Sequence, residues 1–323
     1  MNNENIKVKT KKIKKEKEQN SVAEEADLRY MIECENLVKI YKTKDLEVVA
    51  LQGLDLLVEK GEMMAIIGNS GSGKSTLLNM LGALDRPSAG KLLVNGLDLL
   101  KFKELDLYKY KRGVVGFIWQ NNARNLIPYL TSMENVMIPM IISNEAKKRL
   151  KALELLEMVG LSNKKRHKLH QLSGGEQQRV AIAISLANDP KMLLADEPTG
   201  SVDTRTTNQI IDLFKEFNRS MGITVIIVTH DREISSKVDR VVAIRDGRTS
   251  SEFIKRVSQE ELEGSVSFDA DSTDTHEELA VLDKAGRLQI PREYLQALDV
   301  MGKNKIKVEL EGDKIVLTSV KEG

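Results

Sequence analysis

The sequence predicts an α/β domain on a largely parallel sheet, followed by a much smaller second module. Three observations predict this. Five apolar runs, at residues 63–67, 114–119, 192–195, 224–228 and 241–244, are too short for helices, and their continuity is how strands buried on both faces read. Amphipathic segments of helical length lie between several of them, at 145–159, 177–187 and 206–221; strands alternating with helices give parallel sheets. After residue 255 the pattern stops at an acidic stretch, 256–278, and regular structure resumes only at 279–323.

The chain has 323 residues, with 49 Lys and Arg against 48 Asp and Glu. That length suits one full-sized domain and something smaller. A single cysteine, Cys34, excludes an internal disulfide and fits a reducing compartment. No run approaches the ~20 apolar residues that span a bilayer. The expectation is a cytoplasmic chain that is peripheral on the inner face of the cell membrane and acts there only through a partner. Residues 1–29 read as a disordered Lys-rich tail, because Lys7, Lys9, Lys11, Lys12, Lys14, Lys15 and Lys17 leave too little apolar surface to fold. Such a tail is attracted to anionic lipid, and nucleic-acid contact is the weaker reading.

From about Tyr30 the ordered pattern begins. The run 63–67 leads directly into Gly68-Asn69-Ser70-Gly71-Ser72-Gly73-Lys74-Ser75, which opens a helical run over 75–84. This is G-x-x-x-x-G-K-[ST] between a strand and a helix, the context the motif requires. Its glycines let backbone N–H groups close around phosphate oxygens, and the helix N-terminus adds favourable partial charge. Lys74 would reach the β- and γ-phosphates of a nucleoside triphosphate, and Ser75 would ligate Mg2+. Gln120 ends the run 114–119. Further on, Leu172, Ser173, Gly174, Gly175 and Glu176 precede the helix 177–187; Ser173 is a good N-cap, and the two glycines leave N–H groups open at the helix start. The run 192–195 ends in two carboxylates, Asp196 and Glu197, and His230 stands just beyond 224–228.

Taken in this order, the motifs resemble the ATP-binding cassette (ABC) family over about residues 31–253. The resemblance implies a P-loop NTPase with a mostly parallel sheet, an antiparallel β subdomain and a helical subdomain. It implies ATP and Mg2+ as ligands, and a homodimer in which the Ser173-Gly174-Gly175-Glu176 helix tip of one copy closes on the γ-phosphate held by the other. Nucleotide contacts fall to Tyr41 (stacking on adenine), Gly68, Asn69, Ser70, Gly71, Ser72, Gly73, Lys74, Ser75 and Thr76. Ser173, Gly174, Gly175, Glu176 and Asp203 complete the site from across the interface. The metal falls to Ser75, Gln120 and Asp196, and catalysis to Glu197, His230 and Gln120, with Glu197 orienting the attacking water. Gln171 and Arg179 read as structural supports.

Ala195-Asp196-Glu197-Pro198-Thr199-Gly200-Ser201-Val202-Asp203 and the stretch after Gln120 resemble the macrolide-exporter, lipoprotein-release and cell-division cassettes. In that group the partner is a membrane permease with a large extracytoplasmic domain. Trp119 and Asn121-Asn122-Ala123-Arg124 depart from the group where the permease should dock.

Residues 256–278 carry Glu260, Glu261, Glu263, Asp269, Asp271, Asp274, Glu277 and Glu278, and from 259 onward no Lys or Arg; they read as a flexible linker. Beyond it come a helix at 292–299 and strands at 305–310 and 314–318 around Glu311-Gly312-Asp313. This module, 279–323, resembles the AbrB-like swapped-hairpin domain of bacterial regulators. A unit so small seldom holds a core alone, so a dimerisation domain is expected. Its near-balanced charge argues against nucleic acid. The alternative function is an ATP-switched DNA-associated regulator.

Overall fold

The computed structural model describes residues 29–43, 46–120, 126–141, 148–200, 202–255, 276–282, 286–290, 292–298, 300, 306–312 and 314–319. The tail 1–28, the 121–124 stretch, Ser201 and the linker residues 256–275 lie outside them.

In chain order the elements are β1 (Tyr30–Lys42), β2 (Glu47–Glu59), β3 (Met63–Ile67), α1 (Lys74–Leu81), β4 (Ala89–Val94), β5 (Leu97–Asp98), α2 (Glu104–Gly113) and β6 (Val115–Ile118). There follow α3 (Ser132–Met137), α4 (Lys148–Met158), α5 (Gly174–Leu186), β7 (Met192–Asp196), α6 (Thr204–Met221), β8 (Thr224–Val228), α7 (Arg232–Ser235), β9 (Arg240–Arg245) and β10 (Arg248–Lys255). The last are β11 (His276–Ala280), α8 (Arg292–Ala297), β12 (Ile306–Glu311) and β13 (Lys314–Ser319).

Seven strands form one sheet in the order β11-β10-β9-β3-β8-β7-β6. The five from β9 to β6 are parallel, and β10 and β11 add antiparallel at the edge. All five predicted apolar runs lie in the parallel part. Their alternate residues feed two cores on opposite faces. Ala65, Leu193, Val225 and Val241 join the cluster under α3 to α6, which includes Phe214 and Phe217. Met64, Leu194, Ile226 and Val242 join the second cluster, with α1 and the four-stranded antiparallel sheet β2-β1-β4-β5. Burial on both faces explains why these strands show no polar alternation.

The structure departs from the linker reading at its far end. His276 pairs with Lys255, and Glu277 and Glu278 pair with Ile254 and Phe253. Lys255 and His276, which flank 256–275, are therefore neighbours in the sheet. Acidic residues have low strand propensity, yet the open backbone edge of β10 supplies a full ladder. The hairpin β12-β13 pairs with no other described strand. Ile306, Val308 and Leu310 share one of its faces with Ile315 and Leu317, and Val308, Leu310 and Ile315 are exposed.

Candidate functional site

The strand-to-helix turn after β3 is where the sequence is most constrained. Gly68 has φ +154°, and a Cβ there would stand 2.2 Å from the Ile244 carbonyl oxygen and 2.7 Å from Ser72 Oγ. Gly73, at φ +104°, caps α1 with the Ala50 carbonyl oxygen 2.7 Å from where its Cβ would be. At Gly68 and Gly73 the loop is thus wrapped against β9 and β2 with no room for a side chain. Lys74 is nearly buried, and its Nζ donates to the carbonyls of Gly68 (2.8 Å) and Asn69 (3.0 Å). Burial pulls its pKa below the usual lysine value, against the opposing pull of Glu197 and Asp196.

A cavity of about 450 Å³ opens over this turn. Gly68, Ser70, Gly71, Ser72, Gly73, Lys74, Ser75 and Thr76 line it, together with Gln120, Asp196, Glu197 and His230. Four separate parts of the chain thereby meet, because β3, β8, β7 and β6 are successive parallel strands whose C-terminal ends all point the same way; that edge is the usual ligand crevice of an open α/β sheet. Asn69 does not line the cavity; its carbonyl oxygen holds Lys74.

Three features of the cavity fit a triphosphate and its metal. Ser72 Oγ is buried without a protein partner, and such a group asks for a ligand or water. Where a Cβ would stand on Gly71 there is open space. Ser75 Oγ lies 3.4 Å from Asp196 Oδ1, so a hydroxyl and a carboxylate, both hard oxygen donors, face each other beside the loop.

Beyond β7, Glu197 takes the left-handed conformation with φ +47°, uncommon for a residue with a side chain. Its N–H donates to the Val228 carbonyl (2.9 Å), and its own carbonyl accepts from Gly200 (3.2 Å). The carboxylate reaches His230 Nδ1 at 2.7 Å. A carboxylate only accepts, so Nδ1 is the donor. A Cβ on Gly200 would lie 3.7 Å from Glu197 Oε2 and 3.8 Å from Gln120 Nε2, so those two side chains converge beside it. A base, an amide and an imidazole thus surround the mouth of the phosphate cradle, an arrangement that can position a water and stabilise developing charge.

The other predicted residues lie elsewhere. Tyr41 does not line the cavity; its hydroxyl lies beside Thr76, which does. Ser173, Gly174, Gly175, Glu176 and Asp203 are all outside it. Ser173 caps α5, accepting from Glu176 N–H, while the Glu176 carboxylate accepts from Ser173 N–H at 2.8 Å and pairs with Lys164 at 3.1 Å. Those contacts, the Ser173 N–H first, hold Glu176 below the usual carboxylate range against its partial burial. Asp203 caps α6 through Thr206 N–H (3.0 Å) and Oγ1 (2.8 Å). A Cβ on Gly175 would stand 2.5 Å from Thr206 Cγ2, so the Ser173 helix tip and the Asp203 turn are one packed unit. Sequence reasoning missed Val48, Val49 and Ala50, which line the cavity from β2; nothing in their local pattern marks them.

Comparison with known proteins agrees with this geometry. The ABC transporter family model matches residues 51–200. An uncharacterised ABC transporter ATP-binding protein of Thermotoga maritima is 46% identical over 223 residues, covering 68% of this chain and 94% of its own length. The lipoprotein-releasing system ATP-binding protein LolD of Syntrophus aciditrophicus is 43% identical over 219 residues, covering 67% and 97%. The macrolide export ATP-binding/permease protein MacB of Rhodopirellula baltica is 43% identical over 232 residues; the match spans 71% of this chain but only 34% of that protein. Among solved structures, the dimeric post-hydrolysis state of the cassette MJ0796 with ADP and Pi is 39% identical, with a TM-score of 0.65, covering 71% of this chain and all of the other. These relatives lend no support to the DNA-associated alternative. The chain belongs to the ABC transporter ATP-binding proteins, as an ATP-hydrolysing cassette that takes its nucleotide with Mg2+.

Proposed function

We propose that the chain works as a homodimer in which each ATP lies between the phosphate loop of one copy and the Ser173 helix tip of the other. One observation carries this reading: the cavity holds Lys74, Ser75, Asp196, Glu197 and His230, while Ser173, Gly174 and Gly175 present a capped helix end away from it. Within a single copy the triphosphate would be enclosed on one side only. Lys74 neutralises phosphate charge, Glu197 takes the proton of the attacking water and His230 steadies the γ-phosphate, with Tyr41 stacked on adenine and Asp203 facing the partner copy. Bound Mg2+, held by Ser75 and Asp196 with Gln120 beside them, supplies further charge neutralisation.

The dimer would drive a separate membrane permease with an extracytoplasmic domain and sit peripherally on the inner face of the membrane through it. The MacB and LolD likeness supports this. Among the described residues no helix is long and apolar enough to cross a membrane. The Lys-rich tail would add contact with anionic lipid.

Substituting Ser173→Arg tests the shared site. ATP affinity of the monomer should stay within about twofold, because the residue is outside its own chain's cavity, whereas turnover should fall about tenfold to a hundredfold. A weakened monomer affinity, or unchanged turnover, would overturn the proposal. The 279–323 module is proposed as a tether between copies. Its support is the exposed apolar face of β12-β13, which is too large a liability to leave wet. Truncation after residue 258 should lower the dimer fraction measured without nucleotide by light scattering; an unchanged fraction counts against tethering.

A further inference from the structure

We infer that Lys39 and Asp85 are positioning residues for the nucleotide base, holding the Tyr41 ring with a cation against it and its exposed surface ready to receive the base. The inference rests on Tyr41 being the base platform.

Lys39 is an anomaly in β1. It is 9% exposed on a strand whose other inward residues are apolar, and a buried ammonium needs full pairing. Its Nζ donates to Asp85 Oδ1 at 2.6 Å and to the Arg86 carbonyl at 2.8 Å. The same Nζ lies 4.7 Å from the centroid of the Tyr41 ring, within the range of a cation–π contact. Across the register irregularity between Lys39 and Ile40 the ammonium still reaches the ring two residues on.

Asp85 closes the triangle. Its second oxygen accepts from the Tyr41 hydroxyl at 2.8 Å, while Oδ1 also accepts from Arg86 N–H at 2.7 Å. Burial opposes ionisation of this carboxyl, but hydrogen bonds from Lys39 and Tyr41 outweigh it and hold its pKa below the usual range. The ring is therefore fixed at two points, its hydroxyl and the side against the Lys39 ammonium. It remains 39% exposed, so surface is left for a base.

The location adds a reason. Asp85 lies just past the end of α1, where Leu84 N–H returns to the Asn79 carbonyl, and α1 begins at the phosphate loop. Thr76, on the first turn of α1, lies beside the Tyr41 hydroxyl. Lys39 and Asp85 thus tie the strand carrying the base platform to the helix that carries the phosphate cradle. The distance between base and triphosphate is set by one rigid connection. A buried Lys–Asp pair adds little stability over apolar residues of the same size, whereas it gives the ring one orientation.

The test uses the full chain, with ATP as substrate and inorganic triphosphate, which has no base, as competitor. Tyr41→Ala should raise the KM for ATP about tenfold, the loss of one base–aromatic stack. Lys39→Met and Asp85→Asn should each raise it about three- to tenfold, with kcat within about twofold. The inhibition constant of inorganic triphosphate should not move in any of them, and Lys39→Arg should recover most of the loss. Asp85→Asn, nearly isosteric, keeps the test open if Lys39→Met fails to fold. An unchanged KM in folded Asp85→Asn, alongside a raised one in Tyr41→Ala, overturns the positioning role alone. A triphosphate constant that rises with KM shows a merely structural pair and overturns it too. An unchanged KM in Tyr41→Ala overturns the base platform, and the inference with it.

Discussion

Glu197→Gln should lower kcat about a hundredfold to ten-thousandfold while leaving the KM for ATP close to that of the wild type. The amide has the carboxylate's length and can still accept the hydrogen bond from His230 Nδ1, which Glu197 now receives at 2.7 Å. It adopts the same left-handed backbone no less readily than Glu does at φ +47°. What disappears is the ability to take a proton from water. Binding should survive because phosphate charge is met by Lys74 and the loop N–H groups, not by this side chain. If the site is shared between two copies, the variant should also accumulate as an ATP-loaded dimer on size exclusion, since nothing discharges the nucleotide that holds the copies together. Phosphate release at the wild-type rate would remove Glu197 from the role of base.

The position of Glu197 shows what was legible in the sequence and what was not. Two carboxylates at the end of an apolar run could be read directly, and so could the phosphate loop, because phosphate chemistry demands those residue types at that spacing. The five parallel strands were equally plain, since two dry faces leave an unbroken apolar run. The left-handed turn at Glu197 has no such mark: φ +47° is imposed by bonds to Val228 and Gly200, which are distant or generic. The antiparallel sheet was reached only through the family likeness. In β1 the inward and outward alternation is broken by register shifts, around Leu37 among other places, so a period of two never runs long enough to stand out. The first three residues of β11, 276–278, read as linker and the last two as the start of the small module, because a stretch as acidic as HEELA favours solvent; only the waiting edge of β10 makes it a strand. Val48, Val49 and Ala50 of the cavity wall carry no chemistry of their own and owe their place to the fold.

Lys74→Met separates what the site does for the fold from what it does for ATP. In the folded chain burial lowers the Lys74 pKa, so the native state holds this proton less tightly than the unfolded chain does. On this group's account stability rises with pH between the lowered value and the ordinary lysine range, and at neutral pH the charge opposes folding. The methionine variant is relieved of that cost and loses the bonds to the Gly68 and Asn69 carbonyls, beside an open cavity lined by Gly68 from which water can replace them. Its melting temperature without nucleotide should therefore change little, the two effects cancelling to within about 1 kcal/mol. ATP affinity should fall a few hundredfold, the loss of one charge pair worth about 3–4 kcal/mol, and the upward shift in melting temperature that millimolar ATP gives the wild type should vanish. A retained shift would mean that the glycine cradle alone holds the triphosphate. The expected loss means that the chain keeps a costly ammonium half out of water so that an arriving phosphate finds a charge already stripped and aimed.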